Sequence, residues 1–187
     1  MSEKIRAFIA LEVNNEQVLR GLKKLREKFS QVEGKMKFVE LENIHVTIKF
    51  LGDIELSTAE EIYDIIQKND SIPENGFNTS IARLGVFGGN RPRVLWCGID
   101  DEAKIIRSSQ KAIDREIFNR LHIPKEKRKF SGHVTIARIR YLKNKNHFYD
   151  VINENKETVF GTQHFEKIKL KKSVLTPKGP IYSDLEF

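Results

Sequence analysis

HVTIKF, residues 45–50, recurs as HVTIAR, residues 133–138, roughly half the chain further on. In a strand alternate side chains share a face, so His45 and Thr47 point one way while Val46 and Ile48 point the other. The same holds for His133 and Thr135. Each strand thus gives a core two β-branched anchors and presents an imidazole beside a hydroxyl on its other face. Random placement of the five His and seven Thr in 187 residues would give about 0.2 His-x-Thr pairs, whereas two occur and both share Val and Ile as well. The repeat predicts two related lobes that face their HVTI strands across a groove.

The flanking sequence supplies the rest of the layout. Residues 6–11 read as a strand, followed by a helix capped by Asn14 or Asn15, with Val18, Leu22, Leu25 and Phe29 at helical spacing. Ser57-Thr58-Ala59-Glu60 has the form of a capping box, and Ala59, Ile62, Ile65 and Ile66 form the buried stripe of a second helix. Strands over 77–84 and 93–99 are joined by the turn residues 88–92. A third helix begins near Asp100 or Asp101 and stops before Pro124, the basic segment 125–129 leads into the second HVTI strand, and a short helix spans about 147–155. Strands over 165–175 and 181–187 end the chain. Strands and helices are interspersed with no Gly-rich nucleotide motif and no linker, which predicts an α+β fold with largely antiparallel sheet.

Composition sets limits on function. Hydrophobic residues make up 39% of the chain, enough for a core, and 33 Lys and Arg against 26 Asp and Glu give a net charge of +7 and a pI near 9.4. A polyanionic partner suits this balance, as does a plain basic surface. Cys97 is the single cysteine, so an internal disulfide and a cysteine-rich zinc site are excluded; in the apolar run 94–99 it reads as a buried, inert thiol. No segment has the roughly 20 apolar residues of a membrane span, and the first residues lack a signal peptide's apolar stretch, so a cytoplasmic protein with no membrane partner is expected.

Two imidazoles facing each other across a groove, each beside a hydroxyl, suit acid and base roles on opposite sides of a phosphorus atom. The hydroxyls can hold the non-bridging oxygens and stabilise developing charge. Neither motif carries Asp, Glu or a second His at ligand spacing, so no metal and no cofactor are expected. His122, His147 and His164 lack a following Thr and receive no role.

With these motifs the chain resembles the 2H phosphoesterase superfamily, named for two His-x-Thr/Ser-x motifs, and within it the bacterial and archaeal RNA 2′,3′-cyclic phosphodiesterases, historically called 2′-5′ RNA ligases. The likeness extends through 6–11, 91–96 and 179–182. It implies one bilobal α+β domain over 1–187: two pseudo-symmetric lobes of largely antiparallel sheet, outer helices, and a central cleft carrying both motifs. It also implies hydrolysis of a terminal 2′,3′-cyclic phosphate to a 2′-phosphate, and 2′-5′ ligation in reverse, with His45 as proton donor, His133 as proton acceptor, and Thr47 and Thr135 holding phosphate. Gly132 stands where the family commonly has proline. Further candidates for substrate contact are Lys49, which alternation sets on the face of His45, and Arg138, which matches the family pattern although alternation sets it opposite His133. Phe8 and Tyr182 could stack on a base. The expected partners are RNA ends bearing 2′,3′-cyclic phosphate, such as tRNA fragments, and nucleotides, met by a monomer. The alternative is a non-catalytic RNA-end or nucleotide-binding module.

Overall fold

A computed structural model of the chain describes residues 3–100, 104–177 and 179–187. Its first strand, β1 (Lys4–Glu12), leads into α1 (Glu16–Ser30), where Asn15 Oδ1 accepts from the backbone N–H groups of Gln17 and Val18. Such a cap satisfies donors that the first helical turn would leave open. The helix buries Val18, Leu22, Leu25 and Phe29, as its periodicity predicts. After β2 (Gly34–Phe38) come β3 (His45–Glu55) and α2 (Leu56–Gln67). The predicted capping box does not cap: α2 starts one residue before Ser57, with Glu55 at the N-cap position and no side-chain cap bond, although Ala59, Ile62, Ile65 and Ile66 are buried as expected.

The strands β4 (Phe77–Phe87) and β5 (Val94–Ile99) form the predicted hairpin. The helix α3 (Ile105–Leu121) begins later than predicted. Asp100 instead ends the hairpin, its carbonyl accepting from Thr79 Oγ1 and its carboxylate pairing with Arg83, while Asp101 lies outside the described residues. β6 (His133–Leu142) and α4 (Lys145–Asn155) follow, then β7 (Val159–Phe165), β8 (Lys169–Leu175) and β9 (Pro180–Asp184). The stretch 165–175, read as one strand, is therefore the end of one and the whole of the next. β2 and β7 escaped the sequence reading.

These strands form one antiparallel sheet in the order β7-β4-β5-β6-β3-β1-β8-β9, with β2 beside the far part of β6. At its centre β3 and β6 share a single register pair, Val46↔Val134. The sheet is thus two halves, β3-β1-β8-β9 and β7-β4-β5-β6 with β2, that touch at the matching valines of the repeat. Both valines are fully buried on the face covered by helices. The helices are exchanged between halves: α1 follows β1 but packs on β7 of the other half, whereas α3 follows β5 but packs on β3 and α2. Phe29 of α1 meets Phe148 of α4 with ring centroids 5.5 Å apart, both rings fully buried.

Candidate active site

The antiparallel sense of the Val46↔Val134 pair lays His45 toward Thr135 and Thr47 toward His133. All four are half-buried and lie on the uncovered face of the sheet, between fully buried neighbours. Each ring is mounted in the same way. The Nδ1–H of His45 donates to the Asn43 carbonyl at 2.7 Å, and that of His133 to the Ser131 carbonyl at 2.7 Å. A carbonyl oxygen only accepts, so Nδ1 must carry the hydrogen, leaving Nε2 of the neutral ring as the proton acceptor and Nε2–H of the charged ring as the donor.

Both motifs also contain a β-bulge at the fourth residue. On β1 the register runs Ala10↔Thr47 and then Ile9↔Lys49, which makes Ile48 the extra residue. On β5 it runs Trp96↔Thr135 and then Leu95↔Ala137, which makes Ile136 the extra one. A bulge resets alternation, and two expectations change with it. Lys49 is turned to the helix-covered face, where its ammonium donates to Asp114 Oδ1 at 2.5 Å and to the Pro124 carbonyl at 2.9 Å. Its side chain is 4% exposed, so Lys49 is a buried structural ion-pair partner and not a substrate contact. Arg138 moves the other way, onto the exposed face beside His133 and Thr135. Phe50, its counterpart in the first motif, is likewise exposed.

The surroundings of the two rings differ. Phe8 and Tyr182 lie against His45, with centroids at 5.0 and 5.5 Å, and touch each other at 4.8 Å. These two candidates for base stacking thus lie beside the first motif, and Phe8, 4% exposed, packs against the ring. His133 is flanked by Phe87 at 5.0 Å and Trp96 at 6.3 Å. Neither was singled out from sequence: Phe87 lies past the predicted end of its strand, and Trp96 sits in an apolar run that reads as core.

Burial pushes the His45 pKa below its ordinary value, the positive charges of Lys171, His133 and Arg138 add to the effect, and the bond to the Asn43 carbonyl opposes it. Lys171 belongs to a compact charge cluster in which Lys169 reaches Glu12 at 2.6 Å and Asp184 at 2.7 Å, and Lys171 pairs with the same two carboxylates. Glu12 is the register neighbour of His45. The thiol of Cys97 is fully buried and its pKa is raised by that burial, as expected of an inert cysteine. Among the described residues, no three His, Cys, Asp or Glu side chains are grouped to hold a metal ion, and no helix is long and apolar enough to cross a membrane.

The family model for the AKAP7 2′5′ RNA ligase-like domain matches residues 7–183. A protein of Methanocaldococcus jannaschii named RNA 2′,3′-cyclic phosphodiesterase is 34% identical over 179 residues, covering 95% of this chain and 96% of that protein. Among solved structures, TT0787 of Thermus thermophilus superposes with a TM-score of 0.75 at 24% identity, covering 97% of this chain and 95% of the other. E. coli LigT complexed with 3′-AMP superposes with a TM-score of 0.74 at 18% identity, covering 98% and 97%. The duplicated His-x-Thr strands, the α+β sheet that joins them at their valines, and these matches over nearly the whole chain agree, and the chain belongs to the 2′-5′ RNA ligase-like family of the 2H phosphoesterase superfamily.

Proposed function

We propose that this protein hydrolyses the 2′,3′-cyclic phosphate at RNA 3′ ends, including those of cleaved tRNA, to a 2′-phosphate by proton transfer between its two motif histidines. The observation that carries this reading is the identical mounting of the two rings, each with Nδ1–H tied to the carbonyl two residues back and Nε2 left for chemistry. His133 Nε2 takes a proton from water, the water oxygen attacks phosphorus, the bond from phosphorus to O3′ breaks, and His45 Nε2–H protonates O3′. The phosphate stays on O2′. Thr47 and Thr135 donate to the non-bridging oxygens, and Arg138 on the same face offsets their charge. An acid at neutral pH needs a raised pKa, and in the free protein burial lowers that of His45. The compensating charge is the substrate's own, since an anionic phosphate beside the ring favours imidazolium. With an RNA 5′-hydroxyl in place of water, the same transfers make a 2′-5′ linkage.

The test is to incubate the protein with a short RNA ending in a 2′,3′-cyclic phosphate, with and without excess EDTA, and identify the end formed. The expected product is a 2′-phosphate with a free 3′-hydroxyl, at an unchanged rate under chelation. A protein that binds the RNA without opening the ring would be a binding module instead, and activity lost to EDTA and restored by Zn²⁺ or Mn²⁺ would make the histidines metal ligands.

A further inference from the structure

Beside His133, on the side away from His45, lies an open cavity of about 590 Å³. It shares two residues with the mount of that ring: Ser131, whose carbonyl holds Nδ1–H, and Trp96, whose indole flanks the imidazole. Its floor is backbone. Gly98 is the register partner of His133 and puts no side chain there, and a Cβ on Gly85, the partner of Trp96, would overlap the indole. Phe130 also lines the cavity, as do Arg83, already paired with Asp100, and the cations Arg107 and Lys129. Arg83 is itself the extra residue of a bulge in β4, held at φ 59, a conformation that strains a non-glycine residue.

Aromatic side chains beside cationic ones in an open cavity are what a nucleotide of a single strand needs: stacking for the base, charge for its phosphates. The position of the cavity says which strand. In-line displacement sets the entering and leaving oxygens on opposite sides of phosphorus, and in the reaction proposed above O3′ leaves on the His45 side. The His133 side is where the nucleophile enters. We propose that this cavity binds the RNA that supplies a 5′-hydroxyl in the joining reaction, its base between Trp96 and Phe130 and its phosphate at Arg107 and Lys129. The O5′ proton passes to His133 Nε2, the bond from O5′ to phosphorus forms as the bond to O3′ breaks, and His45 returns a proton to O3′. A 2′-5′ phosphodiester and a 3′-hydroxyl result.

This inference rests on the proposed phosphodiester chemistry, and its test separates the two. Wild type and an Arg107→Ala/Lys129→Ala double variant, both changes at exposed positions, are given RNA ending in a 2′,3′-cyclic phosphate with water alone, with methanol, or with a second RNA bearing a 5′-hydroxyl. Hydrolysis and methanolysis, which need no second strand, should stay within about twofold in the variant, while the ratio of joined to hydrolysed product should fall at least about tenfold, the loss expected for charge-assisted phosphate contacts. Trp96 is the single tryptophan, so its emission should also change as the second RNA is added, and less in the variant. An unchanged joining ratio, or a wild type that hydrolyses and never joins, overturns the proposal. So does a rise in the KM of hydrolysis equal to the loss of joining, which would place the cyclic-phosphate strand in the cavity. A wild type that opens no cyclic phosphate at all would instead remove the chemistry on which the inference stands.

Discussion

Each histidine is fixed by three local devices: a neighbouring valine buried in the join between the halves, a carbonyl two residues back that sets the tautomer, and a bulge at the following isoleucine. The first was legible in the sequence, because alternation across His-Val-Thr needs only the strand period. The other two were not. A backbone carbonyl leaves no mark on residue type, and an extra strand residue is visible only against a partner strand, which is why alternation misplaced both Lys49 and Arg138. With Arg138 on the face of the motif histidines, its charge joins burial in holding the His45 pKa down. An NMR titration should therefore find the His45 imidazole below its ordinary value of about 6.5. Arg138→Ala should move that midpoint up and raise the KM for a cyclic-phosphate RNA about tenfold, because it removes both a positive neighbour of the ring and a phosphate partner. A midpoint that does not move would leave Arg138 without a place in the site.

The strands and helices were read largely from periodicity, and failed where periodicity is weak. β2 alternates only over the short run Lys35-Met36-Lys37-Phe38 with no fully buried residue, and β7 carries a glycine and three polar residues that break its alternation. The exchange of α1 and α3 between halves could not be read at all, since a buried stripe does not say which sheet covers it. The bond between β3 and α3 is in part the buried Lys49–Asp114 pair. Removing one partner leaves a buried charge uncompensated, so Asp114→Ala should cost about 3–5 kcal/mol in denaturant unfolding while the KM for substrate stays within about twofold. The double change Lys49→Met/Asp114→Leu, which removes both charges, should recover most of that stability. A KM that rises sharply with stability intact would return Lys49 to the substrate.

At the scale of the whole molecule the repeat explains itself: a four-stranded and a five-stranded half meet at one valine pair, and that contact sets two imidazoles on one face of the sheet in a protein of net charge +7. One of them gives a proton and the other takes one. The direct measurement is the pH dependence of kcat/KM on an RNA 2′,3′-cyclic phosphate for wild type, His45→Ala and His133→Ala. Wild type should rise and then fall with pH, because the base must be neutral and the acid charged. Each variant should lose about 10²–10⁴-fold in rate and keep one limb. The residual activity of His133→Ala should only fall as pH rises, with a midpoint below about 6.5 because burial lowers the His45 pKa, and that of His45→Ala should only rise. The opposite pattern would exchange the two roles, and a wild-type profile flat from about pH 5 to 9, or either variant near wild-type rate, would contradict proton transfer by these histidines.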